Sequence, residues 1–414
     1  MISDQELLII LKEWNLWEHD LETGIDRSAY VQQISPLITR KEVLILKGIR
    51  RSGKSTIMRQ LMKRLVQQNV RKEQIIYLNL EDYRLKDSLN LKLLERVLEV
   101  HEENFHSQGK IFFFIDEIQL LPEWERFIRT KYDQQTAIKF IISGSNASLL
   151  SQDLSTLLTG RNLTIEIRPL NYLEYKTFTL EPHVEEYLSF GGFPEVVLEK
   201  DISKKKRILQ QYFDDTIYKD IINRHSIRNV QEFLKLAKFI IENCGTPFSI
   251  NKLSDAIGID NKTVDLYLSY LVEAYVILRV DHFSYSLKKR FDKATQPKYY
   301  IADNGFMQLS SNFSKNEGKR FENAIAITIS GAHKQIMYWR ENSEVDFVFD
   351  KQAVNATIAK EIPEREYDGL REFKKKHRQF MLKLVTTTKT YDSPEDIIAQ
   401  TFEEFSTNSL PGIA

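Results

Sequence analysis

Gly48 and Gly53 bracket the residues Ile49-Arg50-Arg51-Ser52, and Lys54, Ser55 and Thr56 follow at once. Glycines at those two places let the backbone come close to a ligand, and a loop that opens a helix aims a row of backbone N–H groups, those of Arg51 and Ser52 among them, at phosphate oxygens. Lys54 adds a point charge for β and γ phosphates, the Ser55 hydroxyl can ligate magnesium, and Thr56 is an additional phosphate donor. The pattern is that of a P-loop, and it lies where the chemistry needs it, between the apolar run VLILK and a helix beginning near Lys54.

A second constellation follows one strand later. After the apolar run Ile111 to Ile115 come Asp116 and Glu117, two carboxylates at the C-terminal end of a buried strand, the edge where open α/β sheets bind ligands. In that place Asp116 holds the metal or one of its waters, and Glu117 polarises an attacking water as general base. The run IKFIISGS delivers Ser143, Ser145 and Asn146 to the same edge, either to sense the γ-phosphate and place water or to make an ordinary turn. Arg161, in LLTGRNLTIEI, is either a cation for transition-state charge, in cis or across a subunit contact, or a solvated loop arginine.

These groups need a scaffold that brings several strand ends together. From Glu42 to about Leu170 short apolar strands (EVLILKG, QIIYLNLED, KIFFFIDE, IKFIISGS, LTIEIRPL) alternate with helical segments, which predicts a mostly parallel sheet with helices on its faces. Before it, Leu7, Leu8, Leu11, Trp14 and Leu16 recur at helical spacing, and Trp14 and Trp17 read as packing residues. Residues 181–245 read as helical. Residues 246–302 hold two helices, INKLSDAIG and KTVDLYLSYLVEAYVI, and two extended runs, an order that resembles a winged helix-turn-helix. The polar stretch 312–319 reads as a linker to a last α/β unit.

Composition bounds the rest. A chain of 414 residues has room for about three domains at roughly 150 residues each. With 42% hydrophobic and 28% charged residues it is globular rather than disordered. Lys plus Arg and Asp plus Glu are equal at 58 each, so any nucleic-acid surface is local. The lone Cys244 forms no intrachain disulfide, the first residues lack a secretory pattern, and no window approaches 18 apolar residues. The expectation is a cytoplasmic protein with no membrane partner.

The ordered series GIRRSGKST, FFFIDEIQLLPEW, IISGSNASLL with TGR and PLNYLEY, YLSFGGFPEVV, and FENAI with EVDFV resembles the AAA-type ATPases. It is closest to the bacterial and archaeal branch in which a winged helix and a nuclease-like domain follow the core. The resemblance implies an α/β fold: a P-loop ATPase core with a helical N-terminal extension over 1–180, a helical lid and winged helix over 181–311, and a degenerate nuclease-like domain over 312–414. It also implies ATP and Mg2+ as ligands, Asn146 as sensor, and core strands in the order 5-1-4-3-2. The implied catalytic set is Glu117, Lys54, Asn146 and Arg161. Neither Asn251-Lys252 nor Asn261-Lys262 leads into the Asp of a guanine-specific element, which disfavours GTP.

In the last unit Glu322, Asp346 and Lys360 take the positions that a PD-(D/E)xK nuclease gives to its carboxylates and lysine. Ile358 then stands where an acidic ligand belongs, and isoleucine binds no hard cation. Over 281–321, Lys288, Lys289, Arg290, Lys293, Lys298, Lys315, Lys319 and Arg320 face only four acidic residues, a local charge of +4. The stretch 288–320 is therefore either a phosphate-contacting surface or a solvated one. The exposed face read for the second helix, Asp260, Asn261, Lys262, Asp265 and Tyr267, is not strongly basic, which leaves DNA reading and protein docking both open. The functional expectation is an ATP-hydrolysing protein whose turnover drives a conformational switch on a nucleic-acid or protein partner, with a homo-oligomer possible. The rivals are an ATP-dependent nuclease and an ATP-gated DNA-binding regulator with little hydrolysis.

Overall fold

The structure is a computed structural model that describes residues 2–106, 109–135, 137–145, 158, 160–284, 296–310, 317–333, 335–359, 361–388 and 393–409. The chain divides into two compact units, Met1–Arg168 and Pro169–Ala414.

In the first unit β1 (Val43–Lys47), β2 (Ile75–Asn79), β3 (Ile111–Asp116), β4 (Ile138–Gly144) and β5 (Asn162–Glu166) form one sheet in the order β2-β3-β4-β1-β5. Every neighbouring pair is parallel, and read from β5 the order is the expected 5-1-4-3-2. Parallel neighbours require crossovers, and α3 (Lys54–Gln67), α4 (Leu91–Phe105) and α5 (Trp124–Asp133) supply the first three; α1 (Asp4–Trp14) and α2 (Ser28–Ile38) precede the sheet. Successive strand residues alternate faces. Val43, Ile45, Ile76, Leu78, Phe113 and Ile115 pack with side chains of α1, α4 and α5. Leu44, Leu46, Ile75, Tyr77, Phe112 and Phe114 pack beneath α2 and α3. Burial on both faces explains the uninterrupted apolar strands. Each buried Phe contributes about 1.5–3 kcal/mol.

The N-terminal segment closes an open edge. β2 ends the sheet, and an uncovered edge strand invites pairing with another chain. Asn15, at the end of α1, donates to the carbonyl of Tyr77 at 2.9 Å and accepts its N–H at 2.6 Å. The indole of Trp17 donates to the Ile75 carbonyl at 2.9 Å, and that of Trp14 to Asp82 Oδ2 at 2.9 Å. The tryptophans do pack, as their spacing predicts, but they also satisfy polar groups along this edge.

The second unit begins with helices and continues through the helix pair Ile250–Ile257 and Asn261–Glu273, the latter N-capped by Asp260. A seven-stranded sheet follows: β6 (Ile277–His282), β7 (Lys298–Ile301), β8 (Met337–Arg340), β9 (Glu344–Phe349), β10 (Gln352–Thr357), β11 (Met381–Thr386) and β12 (Ile397–Thr401), ordered β12-β11-β10-β9-β8-β6-β7. β6 pairs antiparallel with β7 and parallel with β8. The expected boundary at 311/312 therefore falls inside one unit and one sheet. The polar run 312–319 breaks local periodicity, but the pairing of β6 with a strand more than fifty residues later leaves no local trace. Among the described residues no helix is long and apolar enough to cross a membrane.

Candidate functional site

The loop from Gly48 to Gly53 joins β1 to α3 at the C-terminal edge of the parallel sheet. Gly48 lies so close to the residue following β5 that a Cβ there would meet the Ile167 carbonyl oxygen at 2.0 Å. Gly53 takes a left-handed φ of 96° as the N-cap of α3, a conformation that costs an L side chain steric energy. Lys54 is buried rather than loop-exposed, and its ammonium donates to the carbonyls of Gly48 at 3.0 Å and Ile49 at 3.2 Å. Its charge thus sits inside the loop's concavity. Ser52 is buried, and its Oγ has no hydrogen-bond partner among the described residues. Ser55 and Thr56 are half-buried in the first turn of α3, and Arg51 holds a positive φ of 65°.

Arg27, which no motif marks, is part of this loop's support. It is buried, donates to the Ser52 carbonyl at 2.7 Å, and stacks on Tyr30 at 4.6 Å. Its backbone N–H is received by Gln60 of α3 at 3.1 Å. A lone arginine 25 residues upstream carries no sequence signal.

Asp116 ends β3, on the same face as Phe114 and hence on the α3 side of the sheet. Tyr77 donates its hydroxyl to Asp116 Oδ2 at 2.6 Å, and Ser143 of β4 donates to the other oxygen. Ser143 also accepts the N–H of Glu117 at 3.2 Å. Glu117 is buried with a left-handed φ of 55°, and Gln119 donates to its carboxylate. Burial pushes the Glu117 carboxyl above the usual glutamate range; Asp116 adds to that, while the charges of Lys54 and Arg50 oppose it. The β1–α3 loop and the ends of β3 and β4 thus converge on one edge. The donor set fits a nucleotide with a divalent cation: a cation within a glycine-bounded loop for phosphates, a hydroxyl and a carboxylate for the metal, and a second carboxylate of raised proton affinity.

Two expected members stand apart. Asn146 lies outside the described residues. Arg161 immediately precedes β5, whose Asn162 is level with Val43 at the start of β1, so it is at the opposite edge of the sheet, a strand length of about 16 Å away. It pairs there with Asp133 at 3.2 Å. The cis role is thereby corrected: within one chain the structure does not bring Arg161 to Lys54.

The second unit holds another polar cluster. Lys298 of β7, counted above as part of a basic surface, is buried, with its ammonium 2.5 Å from Glu344, 3.3 Å from Glu322 and 4.0 Å from Asp346. Tyr300 donates to Glu322 at 2.5 Å. Burial works against the charge of Lys298, but Glu322, Asp346 and Glu344 outweigh it and hold its pKa above the ordinary lysine value. Glu322 and Asp346 are therefore brought together beside Lys298. The β10 residue that accepts the Asp346 N–H is Asn355, through Oδ1 at 3.1 Å, not Ile358. Ile358 lies past the end of β10, and Lys360 lies outside the described residues. Arg320 is buried too, so of the basic stretch 288–320 neither Lys298 nor Arg320 offers a surface charge; Lys288, Lys289, Arg290, Lys293 and Lys315 lie outside the described residues.

Residues 40–176 match the family described as AAA domain, and residues 181–317 match a domain of unknown function, DUF8612. The chain is 33% identical over 336 residues to an uncharacterized protein of Methanocaldococcus jannaschii, MJ1544, covering 74% of this chain and 72% of that protein. It is 30% identical over 394 residues to an uncharacterized protein of Haemophilus influenzae, covering 90% of this chain and 95% of the relative. Among solved structures, a single-residue variant of Thermotoga maritima RuvB is 18% identical, over 61% of this chain and 89% of that one, with a TM-score of 0.34.

Proposed function

The chain belongs to the family of MJ1544 and its Haemophilus influenzae relative and carries an AAA domain at 40–176; on that premise we propose that it binds ATP with Mg2+ and hydrolyses it to drive a conformational switch. The observation that carries this reading is the convergence of Lys54, Asp116 and Glu117 at one edge of the parallel sheet, with the backbone of Glu117 held by Ser143. Lys54, leaving the Gly48 and Ile49 carbonyls, meets the β and γ phosphates, and loop N–H groups donate to their oxygens. Ser55 and Asp116 would hold magnesium, whose charge offsets that of the phosphates. Glu117 takes a proton from the attacking water, a task that its raised proton affinity suits. Asn146 serves as sensor, and Arg161, remote from its own chain's loop, acts in trans on a neighbouring copy.

The partner is a protein or nucleic acid engaged by the second unit. The helix pair 250–273 followed by the antiparallel β6 and β7 supports a winged-helix reading. The solvent side of Asn261–Glu273 offers Lys262, Asp265 and Leu266, the last 47% exposed, a face that favours protein docking over a phosphate backbone. Phosphate release by the full chain, with and without DNA, RNA and protein extract, tests both parts. ATP turnover that Glu117→Gln abolishes supports the reading; absence of nucleotide binding overturns it. Nucleic-acid stimulation that falls steeply with salt would move the partner to nucleic acid.

A further inference from the structure

Tyr77 sits in the middle of the edge strand β2, buried at 1% exposure, and is not part of any motif. Opposite it across the sheet is Phe114, so its ring runs along the α3 face towards Asp116, two residues further on. The hydroxyl reaches Asp116 Oδ2 at 2.6 Å, the length of a strong hydrogen bond to a charged acceptor. Two features keep it there. Asn15 clamps its N–H and carbonyl at 2.6 and 2.9 Å, and the Trp14 ring lies 6.2 Å from its own. Ser143 occupies the other carboxylate oxygen, so both oxygens of Asp116 are fixed from neighbouring strands.

We propose that Tyr77 is a positioning residue for the metal-binding carboxylate: its hydroxyl sets the direction in which Asp116 faces magnesium, and Asn15 of the N-terminal segment holds Tyr77 in place. The inference rests on the reading of this edge as a Mg-ATP site. A residue that merely fills the core would contribute to folding but not to the advantage that magnesium gives to nucleotide binding. A carboxylate freed from one of its two donors swings, and the lost orientation falls on metal-dependent binding alone.

The test is the affinity of the full-length protein for a fluorescent ATP analogue, titrated with Mg2+ and in EDTA, for wild type, Tyr77→Phe and Ser143→Ala, with melting curves alongside. Tyr77→Phe is expected to reduce the magnesium-dependent gain in affinity about tenfold, the size of one hydrogen bond to a charged group, while affinity in EDTA stays at the wild-type value. Ser143→Ala shifts the same ratio in the same direction. Higher Mg2+ concentration recovers binding in both. An unchanged magnesium dependence in folded Tyr77→Phe overturns the proposal, and so does an equal loss with and without magnesium. Failure of the wild type to bind the analogue at all overturns instead the reading of the site, so the two failures are distinct.

Discussion

Ser143 on β4 accepts the backbone N–H of Glu117 at 3.2 Å, tying the residue just after β3 to the neighbouring strand. Glu117 has a left-handed φ of 55°, a conformation costing a non-glycine residue about 1–3 kcal/mol. The hydroxyl that helps hold this turn also binds Asp116, so a single serine links the carboxylate proposed to hold magnesium with the one proposed as base.

Glu117→Gln keeps the shape of that side chain and removes its basicity. Mg-ATP binding is expected to persist while turnover falls by about 100-fold or more. In the wild type, burial raises the Glu117 pKa, and a base acts only when deprotonated. Turnover therefore declines as pH falls, with a midpoint above the ordinary glutamate range. Single-turnover phosphate release from about pH 5 to 8 reads both effects; an acid limb retained in any residual activity of Glu117→Gln assigns it to another group.

Lys54→Ala removes both the phosphate cation and the donor that joins the Gly48 and Ile49 carbonyls. Nucleotide affinity is expected to drop by about tenfold or more, given about 1.5–3 kcal/mol for a hydrogen bond to a charged group. The sheet beneath does not depend on this side chain, so the circular dichroism spectrum stays native. Equilibrium binding with the fluorescent analogue measures the loss.

Asp303, buried between two loops of the second unit, accepts the N–H groups of Gly192 at 2.7 Å and Gly305 at 2.8 Å. Burial raises its pKa to about 7 even so. The folded state then holds a proton that the unfolded chain, titrating near about 3.9, has released. Stability is expected to fall as pH rises from about 4 towards about 7. Both Asp303→Asn and Asp303→Ala remove the titrating carboxyl and flatten that slope, but the single amide oxygen of Asn still accepts one N–H, whereas Ala orphans both at about 1–3 kcal/mol each. Urea unfolding at about pH 5 and about pH 8 separates the two variants.

The first unit was legible because its chemistry is local. A loop bounded by Gly48 and Gly53, and carboxylates directly after an apolar strand, are contiguous patterns that survive without tertiary information. What stayed hidden depends on pairing across the sequence: Tyr77 on Asp116, Arg27 under Ser52, and Asn15 on the edge of β2 join residues 25 to 62 positions apart. The same blindness put Lys298 on the surface, since a lysine among lysines reads as solvated until β7 is seen beside helix Glu317–Ala332. Counting along the chain also set Ile358 against Asp346, whereas the β10 residue that accepts the Asp346 N–H is Asn355, a contact that only the folded sheet reveals.

The ammonium beside these carboxylates bears on the chemistry open to the cluster. A metal-dependent phosphodiesterase needs carboxylates free to fix a cation, yet Lys298 already places an ammonium within 4.0 Å of Glu322, Glu344 and Asp346. The full-length protein is therefore expected to leave plasmid, linear DNA and RNA intact with Mg2+ or Mn2+, with or without ATP. Removing the ammonium leaves the carboxylates uncompensated in a buried site, and breaking a buried pair in this way costs about 3–5 kcal/mol. Lys298→Met should lose about that much stability in urea at about pH 8 and regain part of it at about pH 5.5, where Asp346, whose pKa burial and the neighbouring Glu322 charge push well up, takes up a proton more readily. A Lys298→Met protein equally stable at both values, or wild-type cleavage of DNA that Asp346→Ala abolishes, would show that Lys298 does not neutralise this cluster.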